Sequence, residues 1–292
     1  MRTPSDLPVA ARLGGFAAVL VAVFAAAFGI GACGSGTANT HGSGHAAASN
    51  PAASGHESMN MGGGAPMGGL AGEQDGYRLV AVTSTATVGT STAFQFRVER
   101  SGEAVKKYTA NHEKDLHLII ARTDLARELH VHPMLGSDGT WTIPVTFDTP
   151  GTWRAIADFI PDDKTSPIAL GSVVEVTGPG NAAPEAVPTP GGQVDDYTVS
   201  STGKIAAGRA SSLTFTVARG GAPVTDLRRH LGALAHLVVL RTTDLGYLHV
   251  HPLKEDGLDF EATFPTPGSY RMFVEFDHAA GIHTATFDVT VV

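Results

Sequence analysis

A duplicated histidine unit constrains this chain more than any other feature. His130-Val131-His132-Pro133 returns as His249-Val250-His251-Pro252. Upstream, His117-Leu118-Ile119-Ile120-Ala121-Arg122-Thr123 is matched by His236-Leu237-Val238-Val239-Leu240-Arg241-Thr242, and in both copies the pair begins thirteen positions after the upstream histidine. A spacing kept over this length means one structural unit used twice, so the chain folds as two similar domains. Imidazole is also the commonest protein metal ligand, which makes the repeat a chemical signal as well as a topological one.

Each copy reads as all-β. Runs rich in β-branched and aromatic residues cover 77–88, 91–100, 116–122, 129–134, 141–147, 152–160 and 171–176, then 197–205, 212–218, 236–241, 247–253, 258–264, 269–276 and 282–292. Inside-outside alternation is clear in Leu213-Thr214-Phe215-Thr216-Val217, and turn signals such as Ser137-Asp138-Gly139 and Thr149-Pro150-Gly151 separate the runs. About seven strands in about 100 residues predict two tandem immunoglobulin-like or cupredoxin-like β-sandwiches. The expected boundaries are a signal segment at 1–32, a disordered tether at 33–72, a first sandwich at 73–177, a Pro/Gly-rich linker at 178–192 and a second sandwich at 193–292. With a full set of strands each, the two sandwiches are expected to fold independently. Whether they pack together stays open.

The N-terminus reads as an export signal. Arg2 and Arg12 lead into an uncharged apolar run from 13 to 32, which ends Ile30-Gly31-Ala32 before Cys33, the only cysteine. This resembles a bacterial lipobox, which implies lipidation at Cys33 and a membrane-anchored protein on the outer face of the cytoplasmic membrane; an uncleaved signal anchor is the alternative. Cys33→Ser is expected to release the protein from membranes in fractionation, whereas full retention with unchanged mass points to the anchor. Residues 1–32 hold two of the 20 Lys and Arg and one of the 28 Asp and Glu, so the remainder carries a formal charge of −9. That excludes nucleic acid as an expected partner. The domains contain no cysteine, which rules out disulfide support and every thiolate mechanism, a blue-copper centre included.

The metal-ligating residues fall into three groups. Folding 117–122 against 129–133 as a hairpin centred near residue 124 or 125 sets His117 opposite His132, with His130 on the same face. His236, His249 and His251 follow the same arithmetic. Three convergent imidazoles suit copper(II), with zinc and nickel as other fits. The alternative is that these histidines occupy polar positions on a solvated sheet face or hydrogen-bond one another. The second copy adds His278 and His283, so it is expected to bind copper more tightly than the first, with binding that weakens as pH falls through about 6.5. His112 and His230 precede the upstream histidines, and Asp158 and Glu275 are matched acids that either orient imidazole or merely end a strand. The tether carries His41, His45, His56, Met59, Met61 and Met67, which together offer imidazole and thioether donors to copper.

The pattern His-Leu-(Ile/Val)-(Ile/Val), Thr-Asp-Leu, Leu-His-Val-His-Pro and Pro-Gly-(Thr/Ser)-aromatic-Arg, present in both copies, resembles small exported Ig-like domains of bacterial lipoproteins and, more loosely, YtkA-like and CopC-like sandwiches. The resemblance implies a β-sandwich and brings no catalytic residues. CopC-like proteins use a histidine at the mature N-terminus, which a lipidated Cys33 does not provide. Two functions follow: a surface lipoprotein that binds or buffers copper or a similar metal, and a non-enzymatic Ig-like interaction module presented to a protein partner with incidental histidines. No hydrolase, metalloprotease or phosphate-binding motif is present, and a three-histidine zinc hydrolase is the third alternative, since catalytic zinc needs three protein ligands and a water.

Overall fold

The computed structural model describes residues 67–111, 113–180, 192–230, 232–254 and 256–292, with the backbone alone at His251. The export segment, Cys33, His41, His45, His56, Met59, Met61 and His112 lie outside the described residues, as does most of the linker. Every regular element among those described is a strand.

The first domain runs β1 (Tyr77–Ala81), β2 (Ser91–Arg100), β3 (Leu116–Arg122), β4 (Glu128–Val131), β5 (Thr140–Thr146), β6 (Gly151–Pro161) and β7 (Ile168–Thr177). β1, β2 and β5 pair in one antiparallel sheet; β7, β6, β3 and β4 pair in the other, with the short strand Thr85–Thr87 added parallel to β7. The second domain repeats the plan with β8 (Tyr197–Thr202), β9 (Ala210–Arg219), β10 (Ala235–Arg241), β11 (Tyr247–Leu248), β12 (Asp259–Thr263), β13 (Gly268–His278) and β14 (Gly281–Val291). β8, β9 and β12 form one sheet and β11, β10, β13 and β14 the other. Alternation does the sorting. Leu213, Phe215 and Val217 of β9 turn inward onto Phe260 and Phe287, as Phe94, Phe96 and Val98 of β2 do onto Trp141 and Trp153.

Two runs that look continuous in sequence divide between sheets. The run 77–88 splits into β1 and Thr85–Thr87, and 129–134 splits after Val131, so that Met134–Leu135 joins β5. Pro133, with no N–H to give a ladder, stands at that crossing.

The two domains meet face to face, with a third apolar core between them. Leu118 and Ile120 of β3 point into the first sandwich, while Ile119 and Ala121 point out. Leu237 and Val239 of β10 point into the second, while Val238 and Leu240 point out. The outward sets, with Ile156, Leu125, Leu245, Tyr247 and Phe273, pack as one cluster. Leu125 and Leu245 reach it from turns with φ of 58° and 60°. Arg271 adds a polar tie, donating to the Leu125 carbonyl at 3.0 Å while its other nitrogens grip Asp288. Every residue of β3 is therefore buried. Its uninterrupted apolar run carried that signal, since a strand covered on both faces has no polar alternate positions.

Residues 67–72 depart from the expectation of a disordered tether. Gly68 exchanges backbone hydrogen bonds with Tyr247 at 2.8 and 2.9 Å, Gly69 donates to Ala169 at 2.8 Å, and Arg154 donates to the carbonyls of Gly69 and Leu70. Glycine is required for this approach: a Cβ at Gly68 would stand 2.6 Å from that of Ala169. Met67 is partly buried and packs against the second core.

Candidate metal centre at the domain seam

The histidine face of the first hairpin is part of this seam. β3 and β4 pair Leu118 with Val131 and Ile119 with His130, the register that places His132 beside His117. The three rings converge. Nδ1 of His117 lies 3.0 Å from Nε2 of His130 and 2.9 Å from Nε2 of His132. Ring centroids are 4.7 to 5.3 Å apart.

A tight turn upstream fixes the tautomer. Asn111 and Lys114 exchange backbone hydrogen bonds, which aims the Asn111 carbonyl at His117; Nε2–H of His117 donates to it at 2.9 Å. Nδ1 therefore carries the lone pair. The second domain repeats the device: His230 and Ala233 bridge in the same way, and Nε2–H of His236 donates to the His230 carbonyl at 2.8 Å. Asn111 is the residue that sequence reading missed. Its signal was the equal distance from Asn111 to His117 and from His230 to His236.

Burial leaves these imidazoles neutral. It is the first cause of a lowered pKa at His117, at His130 and at His132, where the value falls to about 3; neighbouring histidines push His130 and His132 further down. For His117 the Asn111 carbonyl pulls the other way without reversing the shift. Nδ1 of His130 is buried with no hydrogen-bond partner among the described residues.

The second copy is wired differently. Nδ1 of His249 bonds to Asp158 of the first domain, and the Tyr247 hydroxyl donates to the same carboxylate at 2.8 Å. Burial lowers the His249 pKa, but the hydrogen bond and charge of Asp158 outweigh it and the net shift is upward. Asp158 is thus opposite His117 in its own sheet while serving the other domain. Glu275, opposite His236, is mostly buried and raised to about 7 by desolvation. Desolvation, then the charge of Glu275, raises Glu128 well above the usual carboxylate range. The backbone of His251 pairs with Glu261 in the sheet opposite His236, because the chain crosses between sheets after Leu248. His278 hydrogen-bonds Tyr197 and Asp226, and His283 bonds Asp195 at 2.6 Å; neither joins His236. Of the predicted residues, the structure brings together His117, His130 and His132, with His236 next to them: its ring lies 5.5 Å from that of His130.

No curated protein matches the chain. Among solved structures, it is similar to the Escherichia coli adhesin FdeC at 13% identity over 78% of this chain and 66% of that one, with a TM-score of 0.23. The D0-D1 domain of Intimin aligns at 14% identity over 73% and 96%, with a TM-score of 0.21, and a membrane-anchored protein from Corynebacterium diphtheriae at 14% over 74% and 59%, with a TM-score of 0.24. At such scores these likenesses carry no inference about function. A family model described as a domain of unknown function, DUF8832, matches residues 72–177 and again 192–292, covering each sandwich once. By that double match the chain belongs to the DUF8832 family.

Proposed function

We propose that this protein is a non-enzymatic, lipid-anchored extracytoplasmic module that binds a divalent transition metal, copper above all, through His117, His130 and His132. The observation that carries the reading is a mismatch in hydrogen bonding. With Nε2–H of His117 spent on a carbonyl, its Nδ1 offers one lone pair to two imidazole nitrogens, at 2.9 and 3.0 Å. One N–H satisfies that lone pair, and the other nitrogen then meets it unmatched. A cation accepts all three lone pairs at once, with the carbonyl orienting His117 as metal sites commonly require. An all-imidazole donor set binds copper(II) most tightly in the divalent series. The apolar run before Cys33 supports the anchored location.

The test is copper(II) titration of the full chain with His41, His45 and His56 changed to alanine to silence the tail. Saturable one-to-one binding is expected at neutral pH, and the pair His130→Ala and His132→Ala is expected to abolish it. Because all three folded-state pKa values are lowered, protons compete later than they do for an exposed imidazole. Copper is therefore expected to stay bound well below pH 6.5, which moves the acid release below the point expected from sequence. Release at 6.5 would mean that the ligands are histidines outside this buried cluster. A second reading, an interaction module, has its own support: Met134 and Leu253, equivalent positions just after the two His-Val-His-Pro motifs, are 79% and 51% exposed. It takes over if no metal binds.

A further inference from the structure

We propose that His236 of the second domain supplies the fourth ligand to the same ion, so that the metal staples the two domains together. The proposal rests on the three-histidine reading above and adds the partner that completes the shell. Two neighbouring imidazoles on one four-coordinate ion have ring centres about 4.5 Å apart in a square arrangement and about 5 Å in a tetrahedral one. The His130 and His236 rings are 5.5 Å apart, against 4.7 to 5.3 Å within the trio. The hydrogen bonding of His236 matches that of His117 as well. The His230 carbonyl holds Nε2 of His236 as the Asn111 carbonyl holds Nε2 of His117, so Nδ1 is the ligating atom in both copies. His236 is 8% exposed and lines, with His117 and His130, one small cavity of about 30 Å³ at the seam. That volume suits one water or one ion. In the second copy Nδ1 of His249 is bonded to Asp158, and the backbone of His251 pairs with Glu261 in the opposite sheet, so the trio of the first copy is not repeated there.

Cobalt(II) is the probe, since four-coordinate cobalt absorbs strongly in the visible. In the full chain with the three tail histidines changed to alanine, cobalt is expected to give intense bands and to protect the linker at 178–192 from protease. His236→Ala is expected to weaken binding about tenfold or more, to dim the bands and to remove the protection, while His130→Ala with His132→Ala removes binding altogether. If His236→Ala is unfolded by circular dichroism, His236→Asn replaces it, with the same outcomes expected. Unchanged affinity, spectrum and protection in a folded His236 variant overturn the staple and leave the three-histidine site standing. No saturable cobalt or copper binding by the parent removes both.

Discussion

Ile156→Asp is expected to part the two domains while leaving each folded. Ile156 is fully buried, yet it belongs to the seam cluster and not to the core of its own sandwich. A carboxylate placed there meets apolar side chains, and Arg154, two positions along the strand, is already committed to the Gly69 and Leu70 carbonyls. Burying an unpaired charge costs several kcal/mol, and loss of the isoleucine adds about 2 to 5 kcal/mol. Opening the seam avoids the first cost, because the new carboxylate then meets water. The expected record is a thermal melt that separates into two transitions, with faster proteolysis of the linker. Val173→Asp, at a position 49% exposed on β7, serves as the control and is expected to change neither. A single unshifted transition and unchanged proteolysis for Ile156→Asp would show that the seam does not hold the domains.

Asp158→Ala is expected to cost about 3 kcal/mol, because it strands two donors at once. Asp158 is 2% exposed and accepts from both His249 and the Tyr247 hydroxyl. Removing the carboxylate leaves a half-buried imidazole and a buried phenol without that acceptor. Tyr247→Phe removes one donor and leaves the charged pair, so its cost is expected near 1 kcal/mol. The sign of the pH dependence follows from the raised His249 pKa. A histidine raised in the folded state contributes stability that is full below its unfolded value, about 6.5, and fades as pH climbs through the folded value. The gap between parent and Asp158→Ala in denaturant melts is thus expected to be wider at pH 6 than at pH 9. An equal gap at both would mean that His249 is neutral against Asp158 throughout.

Much of the architecture was legible because it depends on local rules. Alternation in β9, turn signals and the kept histidine spacing are enough for two β-sandwiches, and the hairpin arithmetic sets His117 beside His132. What escaped depends on where a strand stops. His130-Val131-His132 and His249-Val250-His251 are identical, but the first stays with β3 through Val131 while the second leaves β10 after Leu248. The rule that residues i and i+2 share a face holds only within one sheet. Asp158 and Glu275 look alike for the same reason: each sits opposite an upstream histidine, and only the packing of domains shows that Asp158 serves His249. The solvated-face alternative fails on Ile119, Ala121, Val238 and Leu240, whose outward positions are as apolar as the inward ones.

The seam has the form of an isologous interface. His130 of the first copy approaches His236 of the second, and the equivalent pair, His249 and His117, is felt across the same boundary. Asp158 reaches His249; its counterpart Glu275 acts on Glu128, the position equivalent to Tyr247. Reciprocal contact of this kind is what two identical subunits make about a two-fold axis. A chain carrying both copies is thus a fused homodimer in form, and fusion frees the halves from identity. Away from its axis, a symmetric pair must build two equal sites or none. Here one half keeps three converging imidazoles while the other commits His249 to a carboxylate, an asymmetry open only to subunits joined in one polypeptide.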